Sequence, residues 1–137
     1  MLDGDLPSII ASLLLEQLNT GISTLKELTE KITETINILD DKNTFSILLS
    51  HHPELFPEYK NTDIDLVFSG HAHGGQFRLP FIGGIIAPEQ GLFPEYDAGI
   101  YTEDNTNMLV SRGIGNSILP FRINNRPEVI LINLQAE

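Results

Sequence analysis

Hydrophobic positions in the first forty residues recur with helical spacing. Ile9, Ile10, Leu13, Leu14 and Leu18 form one apolar stripe ending at Gly21, and Pro7 suits a first helical turn. Thr24-Leu25-Lys26-Glu27 has the form of a capping box, behind which Leu25, Leu28, Ile32, Ile36 and Leu39 recur at spacings of three and four. The polar turn Asp40-Asp41-Lys42-Asn43 closes this second helix. The period then changes. Phe45 to Leu49 and Ile64 to Phe68 are nearly continuous apolar runs, as expected of strands covered on both faces. Between them, Pro53 followed by Glu54-Leu55-Phe56 predicts a short helix reaching to Lys60. A strand–helix–strand unit implies a right-handed crossover and parallel pairing. Residues just past the two strands therefore emerge at one carboxyl edge, where open α/β sheets bind ligands.

Beyond Gln76, Gly and Pro punctuate Leu79 to Gly84 and Ala87 to Gly91, which predicts a long irregular loop. Shorter strands are expected at Gly99 to Thr102, Met108 to Ser111 and Val129 to Leu134, with turn chemistry at Asp104-Asn105 and Asn124-Asn125. The sequence contains no internal repeat and no low-complexity linker.

Composition narrows the function classes. A chain of 137 residues, 41% hydrophobic and 20% charged, suits one folded domain. The formal charge of −11 and the lack of any basic run argue against a nucleic-acid backbone as partner. The absence of cysteine removes disulfides, thiolate zinc sites and thiol nucleophiles. No apolar run approaches the length that spans a bilayer. The apolar stretch Ile9 to Leu15 follows Asp3 and Asp5 rather than Lys or Arg, so it reads as a core helix and not a signal peptide.

The chemistry concentrates in the histidines. All four follow the two predicted buried strands, as Ser50-His51-His52-Pro53 and Ser69-Gly70-His71-Ala72-His73-Gly74-Gly75-Gln76. Neutral imidazole is the commonest metal ligand, and pairs just past neighbouring strand ends can converge on one ion. Three histidines can hold one catalytic zinc with water in the fourth position; in a loop, His71 and His73 can instead flank two adjacent metals. Gly70, Gly74 and Gly75 permit the close backbone approach such a site needs.

These residues carry a family resemblance. Ile47 to Leu55 followed by Val67 to Gln76 resembles the carboxyl half of a calcineurin-like metallophosphoesterase, of the bacterial branch whose Gly-His-x-His motif runs on into Gly-Gly-Gln. Similarity continues through Leu79 to Gly84, Tyr96 to Tyr101, Val110 to Asn116 and Asn125 to Glu128, covering roughly residues 44–134. The resemblance implies an α/β fold: the carboxyl half of an α-β-β-α sandwich, a mixed sheet with flanking helices. It also implies one partial domain, with residues 1–43 as a helical segment and 44–137 as the metallophosphoesterase part. Its activity would be metal-dependent phosphoester hydrolysis. His51 and His71 would bind one divalent ion and His73 the other, and the pair, as Mn, Zn, Fe or Ni, would clamp a phosphate for in-line attack. His52 matches no ligand position and reads as a supporting or surface residue. Arg112 and Asn116 are the expected substrate contacts, since Arg recognises phosphate well; Arg122 reads instead as a charge-paired surface residue.

The sequence also departs from the family. Its remaining ligands come from amino-terminal motifs of the forms D-x-H, G-D-x-x-D and G-N-H-[DE]. Here Gly4-Asp5 is followed by Leu6-Pro7-Ser8, and Gly115-Asn116 is followed by Ser117. The chain therefore carries half an active site, as a truncated or degenerate product would. No residue of the sequence takes the part of catalytic acid or base. Three imidazoles without charged ligands predict weak metal binding and partial or single occupancy, and the chain alone is expected to be inactive. It is also expected to self-associate over the apolar surface that a missing half would cover. The substrate class is a small phosphoester. The expected location is cytoplasmic, with membrane association of a longer parent protein left open. A non-catalytic remnant that binds a partner is the alternative. A cupin-type zinc barrel is disfavoured because Phe77 and Arg78 stand where it would carry Glu. A dinucleotide fold is disfavoured because Gly113-Ile114-Gly115 lacks the third glycine.

Overall fold

The computed structural model describes residues 45–115 and 121–135, together with Glu27, Glu30, Lys31, Thr33 and Glu34, which are helical. The rest of the two expected amino-terminal helices lies outside the described residues, as does Asn116.

A four-stranded mixed sheet organises the chain. Its strands are β1 (Ile47–Ser50), β2 (Leu66–Ser69), β7 (Gly99–Glu103) and β8 (Thr106–Val110), in the spatial order β1-β2-β8-β7. The crossover between β1 and β2 contains a 3-10 turn at Pro53–Leu55 and the single-turn helix α1 (Phe56–Tyr59), and the two strands pair in parallel as expected. Strand β2 also pairs in parallel with β8, and β7 returns antiparallel through the two-residue turn at Asp104 and Asn105. Asp104 takes the left-handed conformation there, which Asp and Asn tolerate.

The core lies on one side of this sheet. Leu48, Val67, Met108 and Val110 pack with Phe56, Tyr59, Ile64, Ala72, Ala87 and Tyr96. Burying side chains of this size stabilises by about 1.5–3 kcal/mol each. Polar contacts fix the register at the strand starts. Asp65 accepts from the Ser46 backbone and hydroxyl at 2.7 and 2.9 Å, and buried Thr106 donates to the Ile64 carbonyl at 2.7 Å.

Three sequence expectations change. Strand β1 is not covered on both faces, since Leu49 is 45% exposed. Residues expected to form an irregular loop contain two short antiparallel ladders: β3 (Arg78–Leu79) with β4 (Gly83–Gly84), and β5 (Ile86–Ala87) with β6 (Gly91–Leu92). Strands of two residues are too short to show a period in sequence. Val129 to Leu134 forms no strand: no strand pairs with it among the described residues, and Val129 and Leu131 are 86% and 87% exposed. Among the described residues, no helix is long and apolar enough to cross a membrane.

Candidate metal centre

Parallel register brings the histidines together. Ser50 of β1 lies opposite Ser69 of β2, and Ser69 lies opposite Val110 of β8. The residues that follow, His51-His52, Gly70-His71 and Ser111-Arg112, leave the sheet at the same carboxyl edge. His51 and His71 rings lie 4.4 Å apart by centroid, His71 and His73 6.4 Å, and His52 and His71 6.0 Å.

A short proton chain pins the end of β1. Tyr59, fully buried on α1, donates from its hydroxyl to the His52 carbonyl at 2.9 Å. That uses its one proton, so Ser50 Oγ donates to Tyr59 Oη across 2.6 Å and accepts from the His52 backbone N–H at 3.1 Å. Burial pushes the Tyr59 phenol well above its ordinary range, partly offset by the Ser50 hydrogen bond.

The loop after β2 is held in an unusual backbone. His71, His73 and Gln76 have φ of 63, 48 and 50°, and Gly74 and Gly75 have φ of 65 and 70°. Non-glycine residues in this region carry strain of order 1 kcal/mol or more each and persist only where surroundings enforce it. The surroundings here are specific. Buried Asn125 donates from Nδ2 to the His73 carbonyl at 2.6 Å and to the Gln76 carbonyl at 3.3 Å. Arg78 Nη1 donates to the Gly74 carbonyl at 2.9 Å and to Asp97 at 2.8 Å. Gln76 Nε2 donates to the Phe121 carbonyl at 2.9 Å. A Cβ on Gly74 would sit 2.5 Å from Asn125 Oδ1 and 2.6 Å from Arg112 Cγ.

Electrostatics favour the neutral form of His73. Burial lowers its pKa first, followed by the Arg122 guanidinium and the His71 and His51 rings, against an opposing backbone hydrogen bond at Gly115. The arginines divide between two roles. Arg112, an expected substrate contact, grips Glu128 with Nε at 2.9 Å and with Nη2. Arg122, expected to be charge-paired, instead donates from Nη2 to the carbonyls of Arg112, at 2.9 Å, and Gly115, and makes no ion pair among the described residues.

Sequence reasoning did not find the carboxylates. Glu54 Oε1 lies 2.7 Å from His52 Nδ1, and Glu89 contacts His71 Nε2. Among the described residues, His52, Glu54 and Glu89 form the group whose potential ligand atoms all lie within 4.8 Å of one another. The partly covered His52-x-Glu54 pairing beside a strand end was the available signal for Glu54. Glu89 had none, because its hairpin was not foreseen.

The residues present fit divalent cations. Imidazole and carboxylate donors together suit ions such as Mn²⁺, Fe²⁺ and Zn²⁺. Glu54 Oε2 is buried with no hydrogen-bond partner, an acceptor that a cation would satisfy.

The mixed sheet, the histidines at its carboxyl edge and the Gly-His-x-His-Gly-Gly-Gln run define a class: the C-terminal part of a calcineurin-like metallophosphoesterase. Relatives agree. The chain is 39% identical over 102 residues to the uncharacterized metallophosphoesterase YkuE of Bacillus subtilis, covering 74% of this chain and 35% of that protein. It is 33% identical over 94 residues to the phosphodiesterase YaeI of Escherichia coli, 69% of this chain and 34% of YaeI. It is 31% identical over 121 residues to the UDP-2,3-diacylglucosamine pyrophosphatase LpxG of Chlamydia trachomatis, 71% of this chain and 37% of LpxG. The chain thus spans about a third of the length of these relatives. No family profile and no solved structure matches it.

Proposed function

We propose that this chain supplies the histidine side of a two-ion phosphoester hydrolase centre, with His51 and His71 on one divalent ion and His73 on the other. The observation that carries this reading is the convergence of the three rings, at 4.4 and 6.4 Å, just past the ends of adjacent parallel strands. Relatives named metallophosphoesterase and phosphodiesterase support phosphoester chemistry. The ions, when bound, neutralise the phosphate and supply the activated water for in-line displacement. The chain's own residues do the positioning. Depressed basicity keeps His73 neutral, and therefore able to ligate, around neutral pH. The Tyr59–Ser50–His52 chain fixes the backbone from which His51 projects. Arg112 and Asn116 are the substrate-side residues of this reading, Arg112 with two donors already engaged by Glu128.

The bridging carboxylate, the Asn ligand and the acid/base His of the family motifs have no counterpart in this sequence. The chain alone is therefore inactive. Its exposed apolar residues, Ile100, Val129 and Leu131 among them, favour association with a second copy or with a polypeptide that carries those motifs. The substrate is a small phosphoester. The test is reconstitution: an amino-terminal metallophosphoesterase half bearing D-x-H, G-D-x-x-D and G-N-H-[DE] is mixed with this chain and Mn²⁺, and hydrolysis of bis(p-nitrophenyl) phosphate is followed. Turnover that appears only in the mixture and disappears with His71→Ala is the expected result. Turnover by the chain alone, or a mixture insensitive to His71→Ala, would overturn the reading.

A further inference from the structure

The sequence shows three imidazoles stripped of their charged partners, but the folded chain brings two carboxylates of its own to the same edge. Glu54 arrives on the 3-10 turn after β1, and Glu89 on the tip of the β5–β6 hairpin. The hairpin tip is fixed by Gln90, whose side chain donates to the Tyr96 carbonyl at 3.0 Å and accepts from the Tyr96 N–H at 2.9 Å. His52, Glu54 and Glu89 then present ligand atoms within 4.8 Å of one another, and Glu89 also touches His71 Nε2. Around an ion with bonds of about 2.0–2.2 Å, ligand atoms sit about 3–4 Å apart, so closure needs side-chain adjustments of about 1 Å. Side chains of His52 and Glu54 are only 20% and 19% exposed, while that of Glu89 is half exposed.

We infer that His52, Glu54 and Glu89, with His71 as the fourth donor, form a single-cation site that belongs to this chain alone. A second observation points the same way: Glu54 Oε2 is buried without any partner, although Oε1 of the same carboxylate is engaged by His52. A buried acceptor left unmatched is destabilising, and a cation would satisfy it. Mixed oxygen and nitrogen donors select a borderline divalent ion such as Mn²⁺ or Zn²⁺ over Mg²⁺, which prefers oxygen and water. The site is an alternative occupancy to the two-ion reading: both use His71, whose neutral ring offers one lone pair and ligates one ion at a time, whereas His51 and His73 take no part in it.

The test uses the purified chain and metal alone. Calorimetric titration with Mn²⁺ or Zn²⁺ should give one ion per chain. Glu54→Gln, Glu89→Gln and His52→Ala should each weaken binding by about 10-fold or more, the size of effect seen when metal-site partners are removed. Far-ultraviolet circular dichroism checks that each variant keeps its fold, and the isosteric Glu→Gln changes carry the argument if His52→Ala does not. Binding untouched by both Glu→Gln variants but lost in His51→Ala or His73→Ala would overturn this site and leave the two-ion reading standing. No binding by the unaltered chain at millimolar metal would also overturn it. Failure of the reconstituted hydrolase would reject the two-ion reading alone.

Discussion

Two glycines with the same backbone angle give a controlled test of how the histidine loop is held. Gly75 and Gly91 both have φ of 70°. A methyl group on Gly91 would meet nothing within 4 Å, whereas one on Gly75 would lie 2.3 Å from Gly84 Cα and 2.9 Å from Gly84 C. Both substitutions to Ala incur the left-handed conformational cost, about 1–2 kcal/mol. Only Gly75→Ala adds a collision, and its target is backbone that no rotamer change can move. Overpacking of this kind costs about 1–3 kcal/mol, so Gly75→Ala should destabilise by about 3 kcal/mol and Gly91→Ala by about 1. For a domain near this size, that separates the two midpoints by roughly 5–10 °C. Thermal and urea unfolding followed by circular dichroism measure it directly. The Gly75 carbonyl also accepts from Ile85 N–H at 3.2 Å, so forcing the two segments apart should loosen His71 and His73 and lower metal affinity. Equal midpoints for the two variants would refute the close approach of Gly75 to Gly84.

Other outcomes follow from the same contacts. Tyr59→Phe removes the hydroxyl joining Ser50 to the His52 carbonyl and should cost about 1–2 kcal/mol in urea unfolding, with weaker metal binding in calorimetry. Asn125→Ala removes both donors to the His73 and Gln76 carbonyls and should cost about 2–3 kcal/mol; unchanged stability would mean the strained loop holds itself. Glu128 has its pKa lowered chiefly by hydrogen bonding to Arg112, with burial acting the other way. A depressed carboxylate contributes fully above the unfolded value, about 4.3, and its contribution is lost as pH falls through the folded value. Glu128→Gln should therefore lower the melting temperature at pH 7, and the gap to the unaltered chain should shrink below about pH 4.

What could be read in advance divides by sequence separation. The runs at Phe45 to Leu49 and Ile64 to Phe68 announced β1 and β2, and one crossover rule placed His51 and His71 at a common edge. Those inferences needed only neighbouring elements. Asn125 reaches His73 across 52 residues, and a polar residue in a turn motif carries no mark of such a partner. Glu89 reaches His71 across 18 residues through a hairpin whose strands are two residues long. Val129 to Leu134 failed for a different reason. A nearly continuous apolar run expresses the capacity to pair, but a strand also needs a neighbour, and no described strand pairs with that segment.

The residues just before that segment explain why the histidine loop keeps its shape. Three non-glycine residues at positive φ within six positions would relax if left to themselves. Their restraints come largely from residues 121–128: Phe121 through Gln76, Asn125 through His73 and Gln76, and Glu128 through the Arg112 stem that lies over Gly74. Residues 121–128 thus act as a brace for the histidine loop. The run Ser111-Arg112-Gly113, downstream of the histidines, belongs to that brace as well, since Arg112 and Gly113 bind Glu128 by side chain and by backbone. Gly-His-x-His and the downstream motif are therefore one structural unit, and a substitution in either should register first as a change in how His73 is held.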